Sequence, residues 1–407
     1  MKKLLSILDF RSDGIFKIVA LLIVMSSFVG GITLPPPFYY GSLAVCGLMI
    51  IKNGKLKVKN VYVLLFLIIC FFSLLINNPP SYFRAWERLG GYTMILLVVS
   101  SLFACKYSTQ LRAKILYYIM EVAILLSVGS FFAYFLGINL FVRLGEQLEI
   151  SAGKFSGLMN HSMVLGPVAG LSGFVLFASI LSKKTKKDYL FTGAMALCCF
   201  GACLLSASRA AVGATGVACV YALFRYYRKR MSKMVTVVVV MVGLLMATFP
   251  LWGGVTDFLV QKQKGNESMG SAIYSRERKF TARILEFKSS PIIGIGYNVV
   301  IPEYDGVVMS NGQIEPGSSW LAVASMTGVL GLSVFITICV KEMRRAWKIE
   351  RPLTSSILGG MLLFFLVHMI AEGYIFAPKN CLSMLFWLII AVIDDNMHLK
   401  EIEYKLV

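Results

Sequence analysis

Apolar residues along this chain fall into a series of long blocks that are separated by short charged segments. A helix needs about 20 apolar residues to cross the hydrocarbon core of a bilayer, and only structures that satisfy their own backbone hydrogen bonds can cross it. The blocks therefore predict about twelve transmembrane helices, allowing for spans somewhat shorter than that length. The predicted spans are 15–32, 38–51, 61–76, 89–105, 115–135, 161–181, 189–205, 210–224, 235–252, 320–340, 355–375 and 381–393.

Lysine and arginine residues concentrate in alternate connections between these blocks, at 52–59, 106–114, 183–187, 225–233 and 341–351. Short cytoplasmic loops retain positive charge, whereas translocated loops do not. The pattern predicts that these connections and both termini lie in the cytoplasm. The long connection 253–319, between the ninth and tenth helices, is then on the periplasmic side.

Composition narrows the class of protein further. The chain is 57% hydrophobic and 15% charged, with a mean hydropathy of +0.74, which excludes a soluble enzyme and indicates an all-α integral membrane protein. We expect one polytopic membrane domain over 1–407. Most of the formal net charge of +19 comes from basic residues in the predicted cytoplasmic connections, which face anionic lipid. Nucleic acid is therefore not an expected partner. All nine cysteines lie in or beside apolar spans, which indicates neither a disulfide framework nor a thiolate metal site.

The long connection carries a segment with the pattern of an amphipathic basic helix, bounded by a Pro-Ile-Ile-Gly-Ile-Gly stretch at 291–296. Helical spacing places its basic residues on one stripe and its apolar residues on the adjoining stripe, namely Arg276, Lys279 and Arg283 beside Phe280, Ile284 and Phe287. This pattern predicts a helix at the membrane interface. Such a helix either binds a substrate or extends its charges toward anionic lipid.

Further polar groups are predicted near the same membrane surface. Arg209 follows Ser208 in the turn between the seventh and eighth helices, and His161 opens the sixth helix. Glu372 lies near the outer end of the eleventh helix, with His368 one turn deeper. Ionisable residues in a membrane are costly, so each is either a functional residue or a paired structural group.

Several arginines at a lipid interface suit one kind of ligand. Guanidinium groups bind phosphate oxygens in a bidentate manner and stay charged, so a lipid-linked phosphate or pyrophosphate is the expected ligand. The pair Gly294 and Gly296 lacks the strand, third glycine and helix start of a dinucleotide site. The outer loops contain no acidic pair or His/Asp cluster with the spacing of metal ligands, so neither a metal nor another cofactor is predicted.

At these residues the chain resembles the O-antigen polymerase and O-antigen ligase family over roughly its second half. The resemblance rests on four motifs in order: Gly-Leu-Met-Asn at 157–160, Ser-Ala-Ser-Arg at 206–209, Arg276 followed by Phe280, and the Pro-to-Gly stretch at 291–296. The spacing from Arg283 to Gly294 also resembles that of polymerases. Each motif is weak alone, and their order on the predicted side makes them more specific.

The resemblance implies a metal-independent glycosyltransferase of GT-C-like architecture in the bacterial inner membrane, with its active site in the periplasm. Its substrate would be an undecaprenyl-pyrophosphate-linked oligosaccharide, and a chain-length regulator and a flippase would be further partners beside membrane lipid. The implied reaction joins repeat units into O-antigen, capsular or exopolysaccharide chains, with undecaprenyl pyrophosphate as leaving group.

The site residues follow from this reaction. Guanidinium groups of Arg209, Arg276 and Arg283 would stabilise the leaving pyrophosphate. A base must accept the proton of the acceptor hydroxyl, and the candidates are His161, Glu315 and Glu372. Substrate contacts are expected from the neighbouring motif residues Asn160, Ser208, Lys279, Gly294, Gly296, Ser318 and Ser319. Replacing Arg276 or Arg209 by alanine is expected to abolish polymer while the protein stays in the membrane.

One departure from the family bears on the reaction. Ligases usually carry a His-Asn or His-Ser pair where the loop re-enters the membrane, and this chain has Gly-Ser-Ser-Trp at 317–320. The missing histidine favours a polymerase, although His161 offers a replacement, and a ligase that transfers glycan to lipid A core or another acceptor is the nearest alternative. A twelve-helix transporter is the alternative from another class, but the chain has no evident internal repeat of the transporter kind.

Overall fold

A computed structural model describes residues 13–30, 34–53, 57–140, 155–183, 185–237, 239, 274–305 and 314–396. The described part is mostly helical, with almost no sheet. Its helices are α1 (Gly14–Ser27), α2 (Pro36–Asn53), α3 (Val61–Asn77), α4 (Ala85–Val98), α5 (Lys106–Phe135), α6 (Ser162–Ile180), α7 (Lys186–Leu205), α8 (Arg209–Tyr227), α9 (Tyr274–Ser289), α10 (Pro302–Asp305), α11 (Ser319–Lys348), α12 (Pro352–His368) and α13 (Cys381–Asn396). A 3-10 turn covers Ser81–Phe83, and β1 (Lys57–Val58) pairs antiparallel with β2 (Phe103–Ala104), with Lys57 opposite Ala104.

The helices are consistent with the predicted all-α membrane protein. By length and composition α5, α6, α7 and α11 can each cross a membrane, and α1, α3 and α12 are shorter apolar helices. Every predicted span except the ninth overlaps one of the helices named above. The ninth span, at 235–252, lies almost wholly outside the described residues, as do 253–273 and 306–313 of the long connection. The total of twelve spans and the position of that loop therefore stay predictions.

Contacts between α8 and α12 define the two ends of the bundle. Tyr221 packs where a side chain at Gly359 would lie, and Arg225 donates hydrogen bonds of 3.0 Å to the carbonyls of Trp347 and Ile349, just before α12 begins. The two helices are therefore antiparallel, and small residues such as Gly359 allow their close approach. The start of α8 lies at the same end as the end of α12. We call this the Glu372 end and the opposite end the Asp394 end.

The Asp394 end is held by buried ion pairs. Arg112 of α5 forms a bidentate pair with Asp395 of α13, with Nε to Oδ2 at 2.9 Å and Nη2 to Oδ1 at 3.1 Å, and both side chains are fully buried. Lys59 also reaches Asp395 at 3.1 Å, and Arg345 bridges Glu342 and Asp394. Since a buried charge is costly without a partner, these pairs bind helices of distant sequence position to one another.

A break in α11 receives the turn at 291–296. Gly328 has φ 64° and ψ −167°, which interrupts the helix. The freed groups bond to the turn, since the Val329 N–H donates to the Pro291 carbonyl at 2.8 Å and the Ile295 N–H donates to the Ser325 carbonyl at 2.9 Å. A Cβ at Gly328 would lie 2.2 Å from the Ile292 carbonyl oxygen. The close approach of the two backbones therefore requires glycine.

Replacing Gly328 by alanine is expected to lower the free energy of unfolding by about 1–3 kcal/mol or more. The new methyl group would overlap the backbone of Ile292, and the positive φ disfavours a side chain. Gly213→Ala is the matched control, since no described atom lies within 4 Å of its added Cβ. We expect the control to melt at or slightly above the wild-type temperature in detergent. Equal melting temperatures for both variants would contradict this account of the break.

Candidate functional site

The Glu372 end contains a cavity of about 880 Å³. This volume lies within the range of about 300–1,000 Å³ that is typical of ligand sites. Its wall is formed by the ends of α1, α2, α4, α6 and α11, by the segment after α12, and by residues near 298 and 315. The polar lining residues are Ser26, Ser27, Tyr40, Arg84, Glu87, Arg88, Asn160, Asn298, Glu315, Lys379 and Asn380, and the apolar ones include Phe28, Met94, Val164, Ala322, Met326, Ile375 and Phe376.

Four of the predicted site residues form one cluster of ion pairs beside this cavity. Arg276 Nη2 lies 2.5 Å from Glu372 Oε1, and its Nη1 lies 3.7 Å from Glu315 Oε1. Lys279 Nζ lies 2.5 Å from Glu315 Oε2. Glu315 is itself part of the cavity wall, and Gly373 of the wall follows Glu372 directly. We call Arg276, Lys279, Glu315 and Glu372 the Arg276 cluster.

Backbone hydrogen bonds place Glu372 in this cluster. The helix α12 ends at His368, earlier than the predicted end at 375, so Glu372 lies in the segment that follows it. The Glu372 carbonyl accepts hydrogen bonds from the N–H and the hydroxyl of Ser319, at 3.0 and 2.7 Å. Ser318 caps α11 by accepting from the Leu321 N–H. Both serines therefore have structural roles next to the cluster, and their contact with substrate stays a prediction.

The predicted basic stripe of α9 divides between two environments. Arg276 and Lys279 lie in the Arg276 cluster, but Arg283 is 1% exposed and its Nη2 pairs with Glu286 Oε1 at 2.7 Å. The same Glu286 oxygen accepts the Ile301 N–H at 2.8 Å. The predicted apolar stripe is also modified, since Ile284 is 44% exposed. Arg283 does not line the cavity, and its predicted contact with a pyrophosphate stays untested.

Asn160 and His161 lie where α6 begins. The Asn160 side-chain amide donates to the Ser27 carbonyl at 2.9 Å, which holds the residue in the cavity wall. Its Oδ1 is buried and accepts no hydrogen bond from the described residues. His161 caps α6 and accepts the Met163 N–H on Nδ1 at 3.0 Å. The role of His161 as a general base stays a prediction.

Arg209 lies at the Glu372 end of the bundle, in agreement with the prediction that it and Glu372 lie near the same membrane surface. It opens α8 directly after Ser208, whose side chain caps the helix by accepting from the Ala211 N–H. Thr215 of α8 and Phe364 of α12 both approach Gly170, so they lie at the same depth. Arg209 lies six residues before Thr215, a rise of about 9 Å along a helix. Because α8 and α12 are antiparallel, the same rise from Phe364 ends just past His368, so Arg209 lies at about that depth.

The two predicted glycines have a structural explanation. Gly294 lies in the turn that enters the break of α11, where a Cβ would be 2.3 Å from the Met326 carbonyl carbon. Gly296 has φ +115°, a conformation that favours glycine. Neither lines the cavity, and their predicted contact with substrate stays untested.

The structure adds lining residues that the sequence did not single out. Arg84, Arg88, Asn298 and Lys379 all face the cavity. A signal for the two arginines was present, because they precede the fourth predicted helix on the side where basic residues are scarce. Asn298 offered no such signal, since its position depends on how the turn at 291–296 packs.

Comparison with known proteins adds one match. The family model described as O-Antigen ligase matches residues 194–336. The matched stretch includes Arg209, Arg276, Lys279, Arg283, Asn298 and Glu315. The match confirms the resemblance to the O-antigen polymerase and ligase family for this part of the chain, and it supports a glycosyltransferase-like function of that general type. A search of curated proteins returned no match.

Proposed function

We propose that this protein is a polymerase that joins undecaprenyl-pyrophosphate-linked oligosaccharide repeat units at the periplasmic face of the bacterial inner membrane. The observation that carries the proposal is the Arg276 cluster bordering an 880 Å³ cavity at one end of a membrane bundle. A lipid-linked glycan needs an apolar path for its isoprenoid chain, cations at the interface for its diphosphate, and a polar space for sugars. The Glu372 end offers cations and polar groups within an apolar bundle.

The proposed reaction is a displacement at the anomeric carbon of the donor glycan. The acceptor hydroxyl oxygen forms the new bond to that carbon while the bond from carbon to the diphosphate oxygen breaks, and its electron pair leaves with undecaprenyl diphosphate. Glu315 accepts the hydroxyl proton, because it is the one carboxylate of the Arg276 cluster that itself lines the cavity. Arg276 stabilises the charge on the departing diphosphate. The reaction requires no metal or other cofactor.

Asn160 is a candidate for holding the sugar. Its Oδ1 is a buried acceptor without a hydrogen-bond donor among the residues described, and it belongs to the cavity wall. Buried polar atoms are normally satisfied, so a sugar hydroxyl is a suitable donor. The remaining predicted contacts at Ser208, Ser318 and Ser319 would act by shaping this end of the bundle.

The acceptor in this proposal is a second repeat unit rather than lipid A core. At the re-entry point, where ligases of the family carry a histidine, Ser318 and Ser319 hydrogen-bond to the backbone of α11 and of the segment after α12. The ligase reaction remains the second candidate because the matched family model is described as O-Antigen ligase. The banding pattern of the glycans on the acceptor and on the carrier lipid distinguishes a polymerase from a ligase. Loss of a polymerase leaves single repeat units on the acceptor, whereas loss of a ligase leaves polymer on the carrier lipid.

Extension of a defined lipid-linked repeat unit by the purified full chain, without an ion gradient, tests the function directly. We expect a ladder of products on undecaprenyl pyrophosphate. In the Glu315→Gln variant the ladder should form about 10²–10⁴-fold more slowly, because the amide cannot accept the proton. A wild-type protein that leaves every repeat unit unextended would contradict a polymerase. A Glu315→Gln variant with full activity would contradict only the assignment of the base.

A further inference from the structure

The cations around the cavity differ in whether a carboxylate already neutralises them. Arg276 and Lys279 are paired within the Arg276 cluster, and Arg84 is paired with Glu87. The side chain of Arg88, one turn along α4 from Arg84, forms no ion pair or hydrogen bond with any residue in the described ranges. Its positive charge therefore remains available inside the cavity.

The surroundings of Arg88 leave its charge uncompensated. Its guanidinium interacts electrostatically with the phenols of Tyr297 and Tyr40 and with the Arg84 and Glu87 pair. Tyr297 is fully buried, and this burial raises its pKa well above the ordinary value. The phenol is therefore neutral and provides a polar neighbour without cancelling the charge.

A second unsatisfied group lies in the same cavity. Asn298 is 4% exposed, it lines the cavity, and its side-chain Nδ2 donates no hydrogen bond to the part of the chain that the structure describes. Its backbone has φ 55°, a left-handed conformation that the turn after Gly296 imposes. Buried donors are normally satisfied, so this amide is suited to an acceptor supplied by a ligand.

We infer that Arg88 and Asn298 form an anion subsite, separate from the Arg276 cluster, that binds the diphosphate of an isoprenoid-linked donor. This inference rests on the proposed function. A guanidinium and an amide donor that line one cavity match phosphate oxygens. The helix that carries Arg88 also exposes Trp86 and Leu97, at 45% and 40%, so an isoprenoid chain in the bilayer can lie along it. The Arg276 cluster then stabilises the charge that develops where the bond from the glycan to the diphosphate breaks.

Binding of farnesyl diphosphate to the purified full chain tests the subsite without requiring any polymerisation. Arg88→Ala is expected to weaken this binding at least about tenfold, the loss that corresponds to one charge-assisted hydrogen bond. Arg88→Lys should retain part of the affinity, and Asn298→Ala should lose several-fold. Arg278→Ala is the control, because it removes an exposed guanidinium that does not line the cavity, and we expect a change of less than about twofold.

The outcomes separate this subsite from the proposed function. Arg88-dependent binding in a protein that extends no glycan would support the subsite and refute the polymerase. Normal extension together with wild-type diphosphate binding by Arg88→Ala would refute the subsite alone. Arg88→Ala could instead lose the binding of a carrier-free acidic oligosaccharide and retain the binding of farnesyl diphosphate. That result would assign Arg88 to a sugar carboxylate and overturn the inference. If Arg88→Ala does not fold, Arg88→Gln compared with Arg88→Lys gives the same decision.

Discussion

Replacing Arg276 by alanine is expected to slow chain extension by about 10²–10³-fold, the effect of removing one donor that stabilises a developing anion. Arg276 is the only guanidinium of the Arg276 cluster, and its partners Glu315 and Glu372 would be left without it. The two carboxylates would then repel the diphosphate, which adds to the loss. Cells with this variant should display single repeat units, measured as the banding pattern of surface glycan at matched amounts of membrane protein.

Arg278→Ala is the matched control for this experiment. It removes the same charge from the same helix, two residues away, but Arg278 is exposed and is not part of the Arg276 cluster. We expect wild-type chain lengths from it. Arg276→Lys should recover part of the rate, because an ammonium keeps the charge but loses bidentate geometry. Long chains from Arg276→Ala would remove Arg276 from the reaction. The same assay applied to Arg209→Ala tests the second arginine.

The second large effect concerns stability. Arg112→Ala is expected to destabilise the protein by about 3–5 kcal/mol, because it leaves the Asp395 carboxylate buried with one partner fewer. Asp395 keeps only its contact with Lys59 at 3.1 Å among the cations described, and the carbonyls of Ser100 and Phe103 lose their shared donor. The variant should show a strongly lowered melting temperature in detergent and reduced amounts in the membrane.

Two further variants test this explanation. Exchanging both partners for apolar residues of similar size, as Arg112→Met with Asp395→Leu, should recover much of the stability because no buried charge is then unpaired. Lys114→Ala removes a partly exposed partner of Asp13 from the same helix and should cost no more than about 1 kcal/mol. Equal destabilisation by Arg112→Ala and Lys114→Ala would show that burial of the pair has no special importance.

The sequence by itself determined that this protein is a helical membrane bundle and which polar groups share one end of it. A long apolar block favours the bilayer through its own composition, whatever surrounds it, and loop charges set orientation in the same local way. The interpretation of Arg209, Arg276 and Glu372 as neighbours at one end follows from that alternation. The antiparallel α8 and α12, and the pairing of Arg276 with Glu372, agree with it.

Only the tertiary structure decided which of these groups meet. Arg276 and Arg283 lie on one helical stripe, yet Arg276 pairs with Glu315 and Glu372 whereas Arg283 is buried against Glu286. Likewise, Arg88 and Asn298 lie more than two hundred residues apart in the chain and line the same cavity. The physical reason is that burial and ion pairing depend on distances of a few ångströms between separate helices. Periodicity within one helix contains no information about which helix lies opposite.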